Sequence, residues 1–205
     1  MDEKYSMFYT TELGRKILRK ELEKVALELK DCKHILSIGC GPGILESELA
    51  KIHQDIRIIG LDKSEEMLYQ VKTEIPKVLG DAEKLNFEDK SFDAVLFITS
   101  LEFVEDYRKA VLEAFRVLRN RGIALILMLN PESEYFKEKY ADNDSYIHRN
   151  IRHMEINEME EFIARYFTIT TEYFLGIKGQ EVFDSEDKRV ASLYMIKGIK
   201  KEWTF

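Results

Sequence analysis

The sequence predicts a doubly wound α/β sheet, and three observations carry that prediction. Between residues 33 and 130, five short apolar runs alternate with amphipathic stretches, the pattern of βαβ units around a parallel sheet. The first run opens onto Gly39-Cys40-Gly41-Pro42-Gly43, where three residues without a Cβ let the chain bend sharply and a ligand approach its backbone. Two β-rich stretches, 168–175 and 190–197, close the chain. The expected sheet has about seven strands, mostly parallel with an antiparallel, hairpin-like edge pair, and helices on both faces.

Each element has its own warrant. Leu18, Leu22, Val25 and Leu29 step by four, three and four, which is a helical stripe. Ile35, Leu36 and Ile38 form a strand covered on both faces. After the glycine turn, Leu45, Leu49 and Ile52 return to helical spacing, so the free N–H groups of that helix face whatever sits on the turn. Residues 56–61 are the second strand and end at Asp62. Ser64 caps the next helix, with Glu65 and Glu66 in its first turn and Met67, Leu68, Val71 and Ile75 on its inner face. Pro76 ends it, and residues 77–80 are a short third strand leading to Asp81 and Ala82.

Phe92 to Ile98 reads as the fourth strand. A helix with Val104, Tyr107, Val111, Phe115 and Leu118 follows, then a tight turn at Asn120-Arg121-Gly122 and a fifth strand from Ile123 to Leu129. A short helix is expected near 133–140 and an aperiodic loop over 141–153. Asn157 and Glu160 predict a capping-box start for a helix carrying Met159, Phe162, Ile163 and Tyr166. The stretch 176–189 reads as a polar connection. The organisation expected is one domain over 1–205: an N-terminal lid and helix (1–30), a cofactor-binding core (33–130), a substrate-covering loop and helix (131–167) and edge strands (168–205).

Bulk properties narrow the class. A net charge of −7 argues against nucleic acid as the main partner, because phosphate binding needs a basic surface. Cys32 and Cys40 are too few for a disulfide framework and have no metal-ligand spacing, so no metal is expected. The start, Met1-Asp2-Glu3-Lys4, shows no signal peptide, and the longest apolar run, 123–129, is too short for a bilayer. A cytoplasmic protein with no membrane partner is the expectation.

In such sheets ligands sit beyond the carboxyl ends of the strands, where the strand order reverses. The glycine turn, Asp62, Asp81 and residues 98–101 all fall there. Asp62 lies 19 positions after Gly43, and a strand-terminal carboxylate at that spacing can accept from the vicinal hydroxyls of a ribose. The pair points to an adenosine-containing cofactor. The dinucleotide pattern G-x-G-x-x-G would place its third glycine at Ile44, which disfavours a pyrophosphate and leaves an NAD-dependent oxidoreductase as the lesser alternative.

Five stretches in order then carry a resemblance: 38–43 (Ile-Gly-Cys-Gly-Pro-Gly), 61–64 (Leu-Asp-Lys-Ser), 80–85 (Gly-Asp-Ala-Glu-Lys-Leu), 91–95 (Ser-Phe-Asp-Ala-Val) and 116–122 (Arg-Val-Leu-Arg-Asn-Arg-Gly). Over roughly residues 33–130 the chain resembles the class I S-adenosylmethionine-dependent methyltransferases, in particular the small single-domain branch of ubiquinone-biosynthesis type. The resemblance implies a Rossmann-like sheet and S-adenosyl-L-methionine as cofactor, with S-adenosyl-L-homocysteine as product. It implies that Gly39, Cys40, Gly41 and Gly43 hold the methionine part, that Asp62 and Lys63 meet the ribose, and that Asp81 and Ala82 meet the adenine. Ile98 and Thr99 would lie along the methionine near the sulfonium. The acid that the family carries two residues before the first glycine is replaced here by Ser37. That implies either a weaker hold on the cofactor's ammonium or another group in its place.

Methyl transfer from a sulfonium asks mainly for alignment and a desolvated site, and a base only for a protonated acceptor. Glu102, after the fourth strand, and His148 and His153, in the polar loop, are the weak catalytic candidates; each is also readable as a solvated or exposed side chain. Tyr5, Tyr9 and Arg15 are lid candidates, or part of an N-terminal helix packed on the sheet. The expected activity is methyl transfer to a small-molecule acceptor, with a catalytically silent, cofactor-binding regulatory or partner protein as the alternative.

Overall fold

The computed structural model describes residues 7–202. Helix α1 (Glu12–Glu28) starts at Thr11, whose hydroxyl accepts from Gly14 N at 3.0 Å and donates to Phe8 O at 2.7 Å. Strand β1 (His34–Ile38) leads through the glycine turn to α2 (Ile44–Ile52), and β2 (Arg57–Asp62) to α3 (Glu65–Tyr69) and β3 (Lys77–Leu79). Strand β4 (Phe92–Ile98) ends in a 3-10 turn (Leu101–Phe103), followed by α4 (Tyr107–Val117) and β5 (Leu118–Leu129). Helices α5 (Glu134–Ala141), α6 (Tyr146–Asn150) and α7 (Ile156–Tyr166) precede β6 (Phe167–Lys178), β7 (Glu181–Phe183) and β8 (Ala191–Lys200).

The eight strands form one sheet in the order β3-β2-β1-β4-β5-β8-β6-β7. The pairs from β3 to β5 are parallel and those involving β8, β6 and β7 antiparallel. Side chains alternate across the sheet, so each central strand feeds two cores. Leu36, Val95 and Ile126 meet Ala110, Val111 and Ala114 of α4 and Met159 and Ile163 of α7. Ile35, Leu96 and Leu125 meet Val25 of α1 and Leu45 and Leu49 of α2. Burial on both faces is why these strands read as continuous apolar runs. Among the described residues no helix is long and apolar enough to cross a membrane.

The structure departs from expectation at five elements. Strand β5 begins at Leu118 and runs through the turn expected at 120–122. The sheet has eight strands, because β7 forms inside the stretch read as a polar connection; it pairs with β6, and Phe183 lies over Gly176, where a Cβ would come within 2.4 Å of its ring. Helix α3 stops at Tyr69, well short of Ile75. The ammonium of Lys77 reaches in from β3 and binds the carbonyls of Leu68, Val71 and Pro42, which gives those carbonyls a partner outside a helix. The loop expected over 141–153 contains α6, capped by Ser145, whose hydroxyl accepts from His148 N. Asn157 lies inside α7; Glu155 stands at its N-cap without a side-chain bond, and Glu160 instead accepts from Tyr194 OH at 2.5 Å.

Candidate active site

Strand order reverses between β1 and β4, and the glycine turn fills that point. Gly39, Gly41 and Gly43 have φ of 72°, 53° and 76°, a left-handed region that residues with a Cβ rarely adopt. At Gly39 there is also no room: a Cβ would lie 2.5 Å from Ser100 Cβ, and Ser100 Oγ donates to Ile38 O at 2.8 Å. The turn therefore lies flat against the end of β4.

Asp62 fixes the turn from the other side. Its Oδ2 accepts from Gly41 N at 2.7 Å and its Oδ1 from Ser64 N at 2.9 Å. A carboxylate has about four acceptor sites, so both oxygens keep a lone pair for a ligand. A cleft of about 410 Å³ opens here, with Gly39, Gly41, Asp62, Lys63, Asp81 and Ala82 all in its wall. Asp81 is braced by Glu83 N on Oδ1 and by Lys63 Nζ, 3.5 Å from Oδ2.

A second cavity, of about 460 Å³, adjoins the first and is walled mainly by apolar side chains, among them Phe8, Ile17, Leu129, Leu175 and Leu193. Thr99, Phe103, Tyr146 and Asn150 line both. Thr99 has φ of 43°, a strained conformation for a β-branched residue, and its N–H is held by Leu127 O at 2.7 Å. The ring of Phe103 meets that of Tyr146, centroids 5.4 Å apart.

The other sequence candidates are distributed as follows. Ser37 is buried and lines neither cavity; its hydroxyl donates to Glu46 Oε1 at 2.6 Å. Burial raises the Glu46 carboxyl above its ordinary range, and Ser37 pulls it back. Cys40 turns its thiol under β2, where a Cβ at Gly60 would lie 2.6 Å from its sulfur, and burial pushes that thiol up. Gly43 sits against Ile75 and Lys77, and the Ile98 side chain packs into the α1–α2 core. Tyr9 lines the second cavity. Arg15 donates to Thr10 O at 2.5 Å and is exposed, and Tyr5 lies outside the described residues.

None of the three catalytic candidates borders either cavity. Glu102 is only 2% exposed, and its Oε1 accepts from Leu129 N at 2.9 Å. His148 Nδ1 lies 2.7 Å from Tyr140 O, and His153 Nε2 lies 3.0 Å from Val104 O with its ring against Tyr107. Sequence reading missed Phe103, Tyr146, Asn150, Arg152 and Glu21 in the walls, and Glu46 behind them. Glu21 was findable, since Ile17, Glu21 and Val25 repeat at four-residue spacing on the inner face of α1, a charge set on an apolar stripe.

Comparison with known proteins gives a match over part of the chain. Residues 36–126 match the family described as a methyltransferase domain. An uncharacterised protein of Methanocaldococcus jannaschii is 28% identical over 190 residues, 86% of this chain and 81% of that protein. The malonyl-[acyl-carrier protein] O-methyltransferase of Dechloromonas aromatica is 32% identical over 116 residues, 56% of this chain and 44% of the enzyme. This chain thus spans less than half the length of that named enzyme. The crystal structure of a S-adenosylmethionine-dependent methyltransferase of Thermotoga maritima, reported as a possible histamine N-methyltransferase, superposes with a TM-score of 0.81 at 24% identity, covering 97% of this chain and 95% of that one. At that identity the likeness is one of fold.

Proposed function

We propose, on the premise that the chain carries a class I S-adenosylmethionine-dependent methyltransferase domain, that it transfers a methyl group to a small-molecule acceptor by in-line displacement. The observation that carries this reading is the meeting of two unlike cavities at Thr99 and Phe103: a cleft with carboxylates at the strand ends, and a largely apolar chamber beside it.

The residues present fit the cofactor. Asp62 keeps acceptor capacity for two ribose hydroxyls while tying down the turn. Asp81 and Ala82, in the same wall, would offer an acceptor and a backbone edge to an adenine. Glu46 brings to the turn the carboxyl that position 37 lacks, and when ionised its charge would favour an ammonium nearby. When bound, S-adenosylmethionine supplies a methyl group on a positively charged sulfur. The protein's share is placement and exclusion of water: Phe103 and Tyr146 line both cavities, and Phe8 and Tyr9 add aromatic rings to the wall of the second.

The acceptor is expected to be a small molecule with an apolar body, since the second cavity is enclosed by Phe8, Ile17, Leu129, Leu175 and Leu193. A cytoplasmic location goes with this reading and with two free thiols, Cys32 and Cys40. Calorimetry with S-adenosylmethionine, S-adenosylhomocysteine and NADH tests the first half: the first two bind and NADH does not. A screen of acceptors for methyl transfer tests the second. Binding of NADH alone would overturn the reading, and cofactor binding without turnover on any acceptor would favour a silent partner protein.

A further inference from the structure

We propose that Glu21 anchors a basic nitrogen of the acceptor, so that the molecule methylated is an apolar amine. The inference rests on the methyltransferase reading above and names its substrate class. Glu21 projects from the inner face of α1 into the wall of the second cavity, is 3% exposed, and its Oε2 has no hydrogen-bond partner among the described residues. A buried carboxyl oxygen without a partner is costly and uncommon in folded proteins. The lining around it is otherwise rich in hydrocarbon, and an amine with an aliphatic or aromatic body would fill both parts.

The charged and titratable neighbours support this polarity. From α2, Glu46 faces Glu21 and repels its charge. From α5, Tyr135 lies close enough that the Glu21 charge helps to raise its phenol. At the rim, Arg149 is held on Asp144 at 2.6 Å, and Lys139 lies 3.9 Å from Glu138 and over the Tyr135 ring. Burial, with Glu46 beside it, pushes the Glu21 carboxyl up to about 8. It is therefore mostly protonated at pH 7, in the range where it can exchange a proton with an amine.

The chemistry balances. An ammonium entering beside Glu21 displaces the carboxyl proton to solvent, leaving one proton shared between nitrogen and carboxylate. When that proton rests on Glu21, the nitrogen has a free lone pair. That pair forms the N–CH3 bond as the S–CH3 bond breaks, and the bonding electrons leave on sulfur as a neutral thioether. The positive charge passes from sulfur to nitrogen, and Glu21, on losing to solvent the proton it held, pairs as a carboxylate with the methylated ammonium.

Calorimetry on the full chain saturated with S-adenosylhomocysteine tests this, with 2-phenylethylamine and its neutral counterpart 2-phenylethanol as probes. At pH 7 the amine should bind at least about tenfold tighter than the alcohol. Titrations in two buffers of different ionisation enthalpy should show net proton release on amine binding, as a carboxyl raised to about 8 requires. In Glu21→Gln the preference should fall to within about twofold and the proton release vanish, with S-adenosylhomocysteine affinity retained. Glu21→Met should behave alike and covers a buried amide that fails to fold. Equal or no binding of the two probes, or a preference surviving in both variants, overturns the proposal. So does a tenfold loss of S-adenosylhomocysteine affinity in the variants, which would assign Glu21 to the cofactor. If the wild-type chain binds no S-adenosylhomocysteine at all, the methyltransferase reading itself fails and takes this one with it.

Discussion

Ser37 Oγ donates to Glu46 Oε1 across 2.6 Å, and both side chains are shut away from solvent. The end of β1 carries a hydroxyl at position 37, and an acid reaches it from the first turn of α2. A carboxylate in that place adds negative potential beneath the glycine turn, which favours the cofactor's ammonium. Glu46→Gln keeps an oxygen for Ser37 and removes the charge. The expected result is about a tenfold weaker hold on S-adenosylmethionine, of the size of one charged hydrogen bond. Because burial raises the Glu46 carboxyl, wild-type affinity should also strengthen as pH rises and the variant's should not. Calorimetry at two pH values checks both, and an unchanged affinity would remove Glu46 from cofactor recognition.

Asp62 has two tasks that one substitution separates. It ties Gly41 N and Ser64 N together, and its remaining lone pairs face the cleft. In Asp62→Asn one oxygen becomes an NH2 pointing at a backbone N–H. The loss should be about 2 kcal/mol of folding stability, the cost of a buried donor left without an acceptor. Cofactor affinity should fall about a hundredfold, two charged hydrogen bonds' worth. Urea unfolding and calorimetry on the same protein read the two effects. Lost affinity at full stability would refute the bracing role.

The parallel strands and the glycine turn were legible because each has one local cause. Burial on both faces makes an apolar run, and three positive φ angles call for glycine. What stayed hidden depends on distant partners. Helix α3 is cut short by Lys77, an amine from the following strand, which no stripe of Met67, Leu68, Val71 and Ile75 can reveal. Helix α6 buries no residue, so it has no periodicity to read, although Ser145 marks its start. The Ser37–Glu46 bond pairs residues nine positions apart across a strand, a turn and a helix. Among the cavity walls, Phe103, Tyr146 and Asn150 meet only when two separate segments fold over the same strand ends.

Gly14 sits in the first turn of α1 because the chain before it runs too close for a side chain. A Cβ there would lie 2.0 Å from Phe8 O and 2.7 Å from Phe8 C. Alanine is the better helix former by about 1 kcal/mol, so Gly14→Ala sets propensity against a backbone clash. The clash should win. The turn from Met7 to Thr11, held by Thr10 N on Met7 O and Thr11 N on Phe8 O, both at 3.0 Å, should detach from the helix. Phe8 and Tyr9 line only the second cavity. Amide exchange at residues 8–11 should therefore accelerate while S-adenosylhomocysteine affinity holds. A variant that gains stability with unaltered exchange would show that the turn can give way without leaving.

Glu102 offers a test of buried charge away from either cavity. Burial raises its carboxyl from the ordinary 4.5 to about 7, against the opposing pull of the Leu129 N–H. In the unfolded chain it ionises near 4.5. Between those values the folded protein keeps a proton that the unfolded chain has lost, so the contribution is whole below 4.5 and is lost as pH rises through 7. The span corresponds to about 3 kcal/mol. Glu21, raised to about 8, acts in the same direction over a wider window. Asp93, Glu28 and Glu113, whose carboxyls are lowered against burial by the His34 N–H with Arg119, by Lys197 and by Arg116 respectively, act oppositely but only in more acidic solution. Unfolding free energy measured in urea should therefore fall from pH 5 to pH 8. Glu102→Gln, whose amide oxygen can still accept from Leu129 N, should flatten the lower part of that fall and leave the part owed to Glu21. A wild-type curve that rises over this interval, or a variant curve parallel to it, would mean that Glu102 is ionised in the folded protein at neutral pH.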